Sequence, residues 1–384
     1  MKTRAADFVI VGAGVFGVWI AHLLRRHGHT LVLADAYGAG NNRSSSGDES
    51  RIIRMGYGRD ALYTRWAARS LQLWQDLFRI TGQPLFINTG VLWLGTGSDA
   101  YTREMPDALS AEGIAHEKLS PQEIATRFPQ IGLDGVSYGI FEPGSGVLLA
   151  RRSVQAVLDD AIRLGVQYVI DAVVPPVSGG SHLHFVQTRN GEKISGDVFI
   201  FACGAWLPSL FPEILGSRIF PTRQEVFYFG PSGGSIEYKP PAMPVWLHHQ
   251  DEVYGLPDIE NRGIKIACDR HGEPIDPETS DRTVGDGSLQ EMRSYMRRRL
   301  PKLQEPPLLE TRVCQYENTS NGDFLIDRHP EIDNAWLVGG GSGHGFKHGP
   351  AVGHYLAERL LGASEPEGRF SIEHKLQLQQ REIY

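Results

Sequence analysis

Apolar residues recur along this chain in two rhythms, near 3.6 and near 2 residues, and the switches between them lay out the elements. Asp7–Val11 is short, apolar and rich in β-formers, which predicts a buried strand. VWIAHLLRRHGH then has helical spacing and closes at Gly28, and TLVLAD predicts a second strand ending at Asp35. A long helical period covers LYTRWAARSLQLWQDLFRITG. Within Arg152–Ile170, VQAVLDDAIRLG reads as a helix and VQYVI as the strand it leads into. GDVFIFACGAW predicts a strand entering a Cys-Gly-Ala-Trp turn. GVLWLG, EVFYFG, VYGLP and GIKIAC predict strands of a mainly antiparallel sheet. Near the end come a buried strand, Ala335–Val338, a glycine-rich turn, and a helix through AVGHYLAERLL with Pro350 in its first turn.

Between the first strand and helix, Gly12, Gly14 and Gly17 stand in G-x-G-x-x-G spacing. In that context the glycines serve a tight turn, close approach of a pyrophosphate and close helix–strand packing, while Asp35 is placed to bind ribose hydroxyls. A carboxylate there disfavours a 2′-phosphate, leaving NAD or FAD. The chain then enters a polar loop with Arg43, Arg51 and Arg54 rather than a further βαβ unit, an organisation that suits FAD. The expected fold class is α/β, or α+β overall: a Rossmann-type FAD-binding domain plus a mainly antiparallel substrate domain with flanking helices. The expected boundaries are 1–84, 146–218 and 320–384 for the first and 85–145 and 219–319 for the second.

Composition narrows the function classes. A net charge of -7 argues against nucleic acid or an anionic membrane as partner. The apolar start is broken by glycines and runs into Arg25-Arg26-His27, so it reads as strand, turn and helix rather than as a signal or membrane span. Three cysteines leave no disulfide framework and fit a reducing compartment, the cytoplasm by default. Cys203 ends an apolar run and reads as a small core residue, whereas Cys314 stands among polar neighbours, as a reactive thiol does. His344 and His348 are four apart, but the glycine-rich context is poor helix and no third ligand is spaced for a metal.

GAGVFG, SGDESRIIRMGYG, FEPGSGVL, GIKI, VCQYENT, FLIDRHP and GSGHGFK occur in an order that resembles the monomeric sarcosine oxidase and N-methyltryptophan oxidase family of D-amino-acid-oxidase-like flavoenzymes. The resemblance spans nearly the whole chain. It implies FAD, joined as a thioether through Cys314, and it implies Lys265 beside the flavin as the group that serves oxygen. It also implies Arg51 close to the ring, with Ser46, Ser50, Gly343 and Gly345 among the cofactor contacts and His344 near the pyrimidine edge. Arg54 and Lys347 would hold the substrate carboxylate, Lys347 also adjoining the cofactor, and Tyr254 and Tyr316 would line the substrate cavity.

One departure stands out: Asp269 replaces a histidine of sarcosine oxidase four residues after the GIKI lysine, and PDIENRG before that lysine carries two extra acids. Asp269 would repel a carboxylate or attract a second ammonium, which favours larger or more basic amines, with Trp246 and His248 as further specificity residues. NGDFLID is similar to fructosyl-amino-acid and pipecolate oxidases. The expected activity is oxidation of a secondary-amine amino acid to an imine, with oxygen going to hydrogen peroxide and no obligatory protein partner. A flavin dehydrogenase with another electron acceptor is the alternative, and a flavoprotein subunit without turnover of its own is a third reading.

Overall fold

The strand Thr3–Val11 runs through the middle of a parallel sheet, paired with Lys193–Phe201 on one side and Leu31–Asp35 on the other. The structure, a computed structural model, describes residues 3–176, 180–231, 233, 235–303 and 305–377. The sheet runs Leu325–Arg328, Ala335–Gly339, Lys193–Phe201, Thr3–Val11, Leu31–Asp35, Gln167–Ile170, and Phe185–Gln187 adds antiparallel to Lys193–Phe201. The first strand is longer than its apolar core predicts. Thr3 to Ala6 are polar or small and half exposed, yet they keep register with Lys193 to Gly196, so ladder pairing rather than burial extends them.

Helix Val15–Arg26 packs on this sheet and is flanked by Ala150–Arg163 and Gly349–Leu360. Helix Ala61–Thr81 begins at Asp60, whose side chain accepts from the Leu62 and Tyr63 amides, and ends at Gly82 in a left-handed conformation (φ 68°). Its Trp74 meets Trp19 edge-to-face at 5.0 Å, a contact worth about 0.5–1.5 kcal/mol beyond area burial.

The second sheet has eight strands in the order Leu308–Thr319, Ile219–Phe229, Ile264–Cys268, Val253–Leu256, Val245–His248, Val91–Gly95, Tyr138–Glu142, Glu117–Leu119. All neighbours are antiparallel except Val245–His248 with Val91–Gly95. A small sheet of Arg51–Ile53, Gly146–Leu148 and Phe86–Ile87 ties the two layers together. The C-terminal ends of the parallel strands therefore face the underside of the larger sheet, where open α/β folds place their ligands. No helix among the described residues is long and apolar enough to cross a membrane.

Candidate functional site

A cleft of about 450 Å³ opens at those strand ends, walled by Gly12, Gly14, Asp35, Ser46, Glu317 and Gly343 among others. Gly12 has φ +103°, and a Cβ there would come within 2.4 Å of the Ala202 carbonyl. At Gly17 a Cβ would strike the Gly12 carbonyl at 1.8 Å, whereas Gly14 meets only the Ser46 hydroxyl at 3.5 Å. The first and third glycines thus let backbone pack on backbone, and the second leaves the cleft floor open. The helix starting at Val15 has no acid in its first turn, and the cleft adjoins its positive end. Ser46 accepts from the Val15 amide (3.1 Å). Asp35 accepts from the Ala13, Tyr37 and Gly38 amides at 2.7, 2.9 and 2.8 Å, so it also pins the glycine turn; burial raises its pKa against those bonds.

A smaller cavity of about 80 Å³ continues from the cleft, and Arg51, Tyr316, Gly343 and Phe346 line both. Two buried cations face it. The Arg54 guanidinium lies over the rings of Tyr57 and Trp93 (4.4 and 4.6 Å) and donates to the Gly56 carbonyl. The Lys347 ammonium donates to the Tyr57 hydroxyl (2.7 Å) and the His344 carbonyl (3.0 Å). Their residues are 3% and 4% exposed, and among the described residues neither forms an ion pair with a carboxylate. Buried Glu142 acts on both through its charge but hydrogen-bonds neither, because it accepts from the Met55 and Gly56 amides, Trp93 Nε1 and the Ser145 hydroxyl. Burial, and then repulsion from Arg54, pull the Lys347 pKa well below its usual 10.5. Trp74 Nε1 donates to the Lys347 carbonyl (3.1 Å) and anchors the turn from the helix side.

Lys265 lies on the same cavity, 2% exposed, between two other buried residues of its strand. Its ammonium is 2.5 Å from Asp48 and 2.9 Å from the Ser50 carbonyl. Asp48 also takes bonds from Arg51 (2.7 Å) and the Tyr228 hydroxyl (2.9 Å). Burial alone would raise the Asp48 carboxyl, but Lys265 and Arg51 hold it far below the ordinary range, so it stays ionised. Arg51 reaches back to the Ser45 carbonyl (2.7 Å), and its guanidinium is 3.5 Å from the Cys314 sulfur.

The structure gathers Arg51, Arg54, Tyr254, Lys265, Asp269, Cys314, Tyr316, His344 and Lys347 on the smaller cavity, with Ser50; Gly12, Gly14, Asp35, Ser46 and Gly345 lie on the larger cleft. Gly17 is packed against Gly12 and lines neither. His344 bonds the Gly322 carbonyl through Nε2 (3.0 Å), and Tyr57 bridges it to His348 at 3.3 and 2.7 Å.

Two expectations are corrected. Trp246 and His248 are buried away from the cavity, because strand alternation turns Leu247 between them toward it. The extra acids are structural: Asp258 accepts from the Gly263 amide (2.8 Å), and Glu260 pairs with Arg152 (2.6 Å). Cys203 packs against the apolar core as expected, and it does more. It lines the nucleotide cleft, donating to the Val11 carbonyl at 3.3 Å, and burial raises its thiol pKa. Asp48 and Glu317 are site residues that the sequence reading passed over. Glu317 accepts from the Ser45 hydroxyl (2.9 Å), and burial pushes its pKa up to about 7.

The match to the FAD dependent oxidoreductase family covers residues 7–359. The chain belongs to this family. It is 31% identical to the monomeric sarcosine oxidase of Streptomyces avermitilis, covering 92% of this chain and 93% of that one. It is 29% identical to N-methyl-L-tryptophan oxidase of Escherichia coli O157:H7, covering 92% and 94%. A solved structure, L-proline dehydrogenase from P. horikoshii, shares the fold with a TM-score of 0.84 at 22% identity, covering 97% of this chain and 98% of that one. The residues of this FAD-dependent oxidoreductase fit the cofactor: a helix start with no acid in its first turn, a glycine floor without side chains and an acid at the second strand end form one continuous cleft.

Proposed function

We propose that this FAD-dependent oxidoreductase oxidises the secondary amine of an amino acid to an imine, which water hydrolyses. The observation that carries the reading is the pair of buried cations, Arg54 and Lys347, which face one small cavity and among the described residues form no direct ion pair with a carboxylate. Burying two unpaired charges is costly, so the cavity is shaped for an anion brought by the ligand. Sarcosine oxidase and N-methyl-L-tryptophan oxidase, by their names, act on N-methyl amino acids, which supports the same chemistry here.

When bound, FAD would supply the two-electron redox chemistry, as acceptor for the C–H beside nitrogen and as donor to oxygen, whose reduction yields hydrogen peroxide. The rest falls to the chain. Arg54 grips the substrate carboxylate as a fork, and Lys347 adds a point charge. Tyr254 and Tyr316 flank the substrate, and closure of the small cavity excludes water. Lys265, kept in place by Asp48 and the Ser50 carbonyl, offers a fixed positive charge where oxygen takes on electrons. Cys314, with Arg51 donating to its sulfur, would hold FAD through a thioether. Gly12, Gly14, Gly17, Asp35 and Ser46 would hold the nucleotide half, and Ser50, Arg51, Gly343, Gly345, His344 and Lys347 would serve the reactive end. In this proposal segments 1–84, 146–218 and 320–384 form the FAD unit and 85–145 and 219–319 the substrate unit. The compartment is cytoplasmic, in keeping with three free cysteines.

Aerobic peroxide release across a panel of N-methyl and cyclic amino acids tests the reading, and at least one member is expected to react. An enzyme that substrate reduces but air leaves reduced would instead be a dehydrogenase with another acceptor.

A further inference from the structure

The cavity that holds Arg54 and Lys347 also holds an acid. Asp269 follows the strand Ile264–Cys268 and is only half-buried, whereas the two cations are almost fully enclosed. Its carboxylate accepts one side-chain hydrogen bond, from the Tyr316 hydroxyl at 2.7 Å, and its amide donates to the Glu252 carbonyl at 2.6 Å. The Tyr316 phenol, its pKa raised well above 10 by burial and then by Asp269, remains a donor and aims the carboxylate. The adjacent Arg270 does not neutralise Asp269, since it turns outward to Glu252 and Glu291 at 3.4 and 2.8 Å. Among the described residues Asp269 forms no ion pair, although a carboxylate has room for several more donors.

The cavity is therefore polar in one direction, with unpaired cations deep inside and a single-bonded carboxylate on its more exposed side. A ligand with only a carboxylate would satisfy the first and be repelled by the second. We infer that the substrate carries a second cationic group, an ammonium or guanidinium, which binds Asp269 while its carboxylate binds Arg54 and Lys347. This rests on the amine-oxidase reading above and narrows it to short basic amino acids substituted on the α-nitrogen. A ligand of this kind satisfies both ends at once, and reversing it would set like charge against like at each end.

The test uses the FAD-loaded full chain and two ligands without an oxidisable secondary amine, 5-aminopentanoate and pentanoate, titrated by flavin absorbance and by calorimetry. The aminated ligand is expected to bind about tenfold more tightly, as a partly buried charge contact gives, and Asp269→Asn should bring the ratio close to one. Equal or weaker binding of 5-aminopentanoate by the unaltered enzyme overturns the inference. So does an Asp269→Asn variant that shifts both ligands alike and leaves their ratio unchanged, which would make the acid a mere counter-charge for Arg54 and Lys347. The ratio in the unaltered enzyme decides even if the variant does not fold. Turnover of N-methylornithine against N-methylnorvaline is the companion measurement. If the binding ratio holds and neither is oxidised, the oxidase reading fails while the cation subsite stands.

Discussion

The Lys265 ammonium is bound to the Asp48 carboxylate at 2.5 Å, with both side chains under 5% exposed. The two come from segments 217 residues apart, so the contact locks that polar loop to an inner strand of the larger sheet. Burial pulls the Lys265 pKa down and Asp48 pulls it back up, so removing the acid leaves burial less opposed. Asp48→Asn is expected to slow reoxidation of the reduced flavin, increasingly so as pH rises, and to cost about 3–5 kcal/mol of stability as a broken buried pair. Lys265→Met should slow reoxidation by orders of magnitude and leave substrate reduction nearly unchanged. Rapid mixing of substrate-reduced enzyme with oxygen measures both; equal slowing of the two half-reactions would defeat the role given to Lys265.

Cys314→Ser should release the cofactor. Acid precipitation of the unaltered protein is expected to leave yellow colour in the pellet and an intact mass increased by FAD. In the variant the colour should move to the supernatant. Colourless pellets from both would remove the thioether from the proposal.

Carboxylate binding should weaken in alkali. Lys347 grips an anion only while protonated, and its pKa is depressed well below 10.5, so affinity is held at lower pH and lost as pH rises through that depressed value. The dissociation constant of pentanoate, followed by flavin absorbance, should rise at a pH below 10.5. Lys347→Met should be weak throughout, with that inflection gone, and Arg54→Met should be weak with the inflection retained at higher pH, because Arg54 helps depress Lys347.

Glu317 makes the cofactor-free fold sensitive to pH. Its pKa is raised from 4.5 to about 7, so the folded state holds the proton more tightly than the unfolded chain does. The stability this contributes is fully present below 4.5 and is lost as pH rises through 7, a change of about 3 kcal/mol. Glu317→Gln cannot ionise, so melting temperatures of the apoproteins should diverge between pH 5 and 8, with the variant gaining on the unaltered chain. Parallel melting curves across that range would show that Glu317 is not held protonated.

The parallel half of the molecule was legible because its signals are local. Glycine spacing, the acid at position 35 and apolar runs on either side mark one strand–turn–helix–strand unit. The helices Ala61–Thr81, Ala150–Arg163 and Gly349–Leu360 likewise follow from their periods and caps. Asp48 lay inside a recognised motif yet gave no sign of its task, since a polar loop does not reveal that two cations will be folded over one of its acids. Trp246 and His248 misled for the opposite reason. Their strand is covered on both faces, so alternation could not tell which face met the cavity until Leu247 was seen on it. Asp258 and Glu260 carry charge, which drew them toward the substrate, but they hold a turn and a surface pair instead.

The strand Leu308–Thr319 contributes to both hollows: Cys314 faces the smaller, Gln315 and Glu317 the larger, and Tyr316 borders the two. Its pairing with Ile219–Phe229 stays in step from Ile219–Thr319 through Tyr228–Glu310. A single inserted or deleted residue within that span would exchange the two faces, turning Glu317 to the side of the smaller hollow and the thiol to the side of the larger. Relatives built on this strand can therefore diversify by replacing side chains, while the spacing between them is not free to drift.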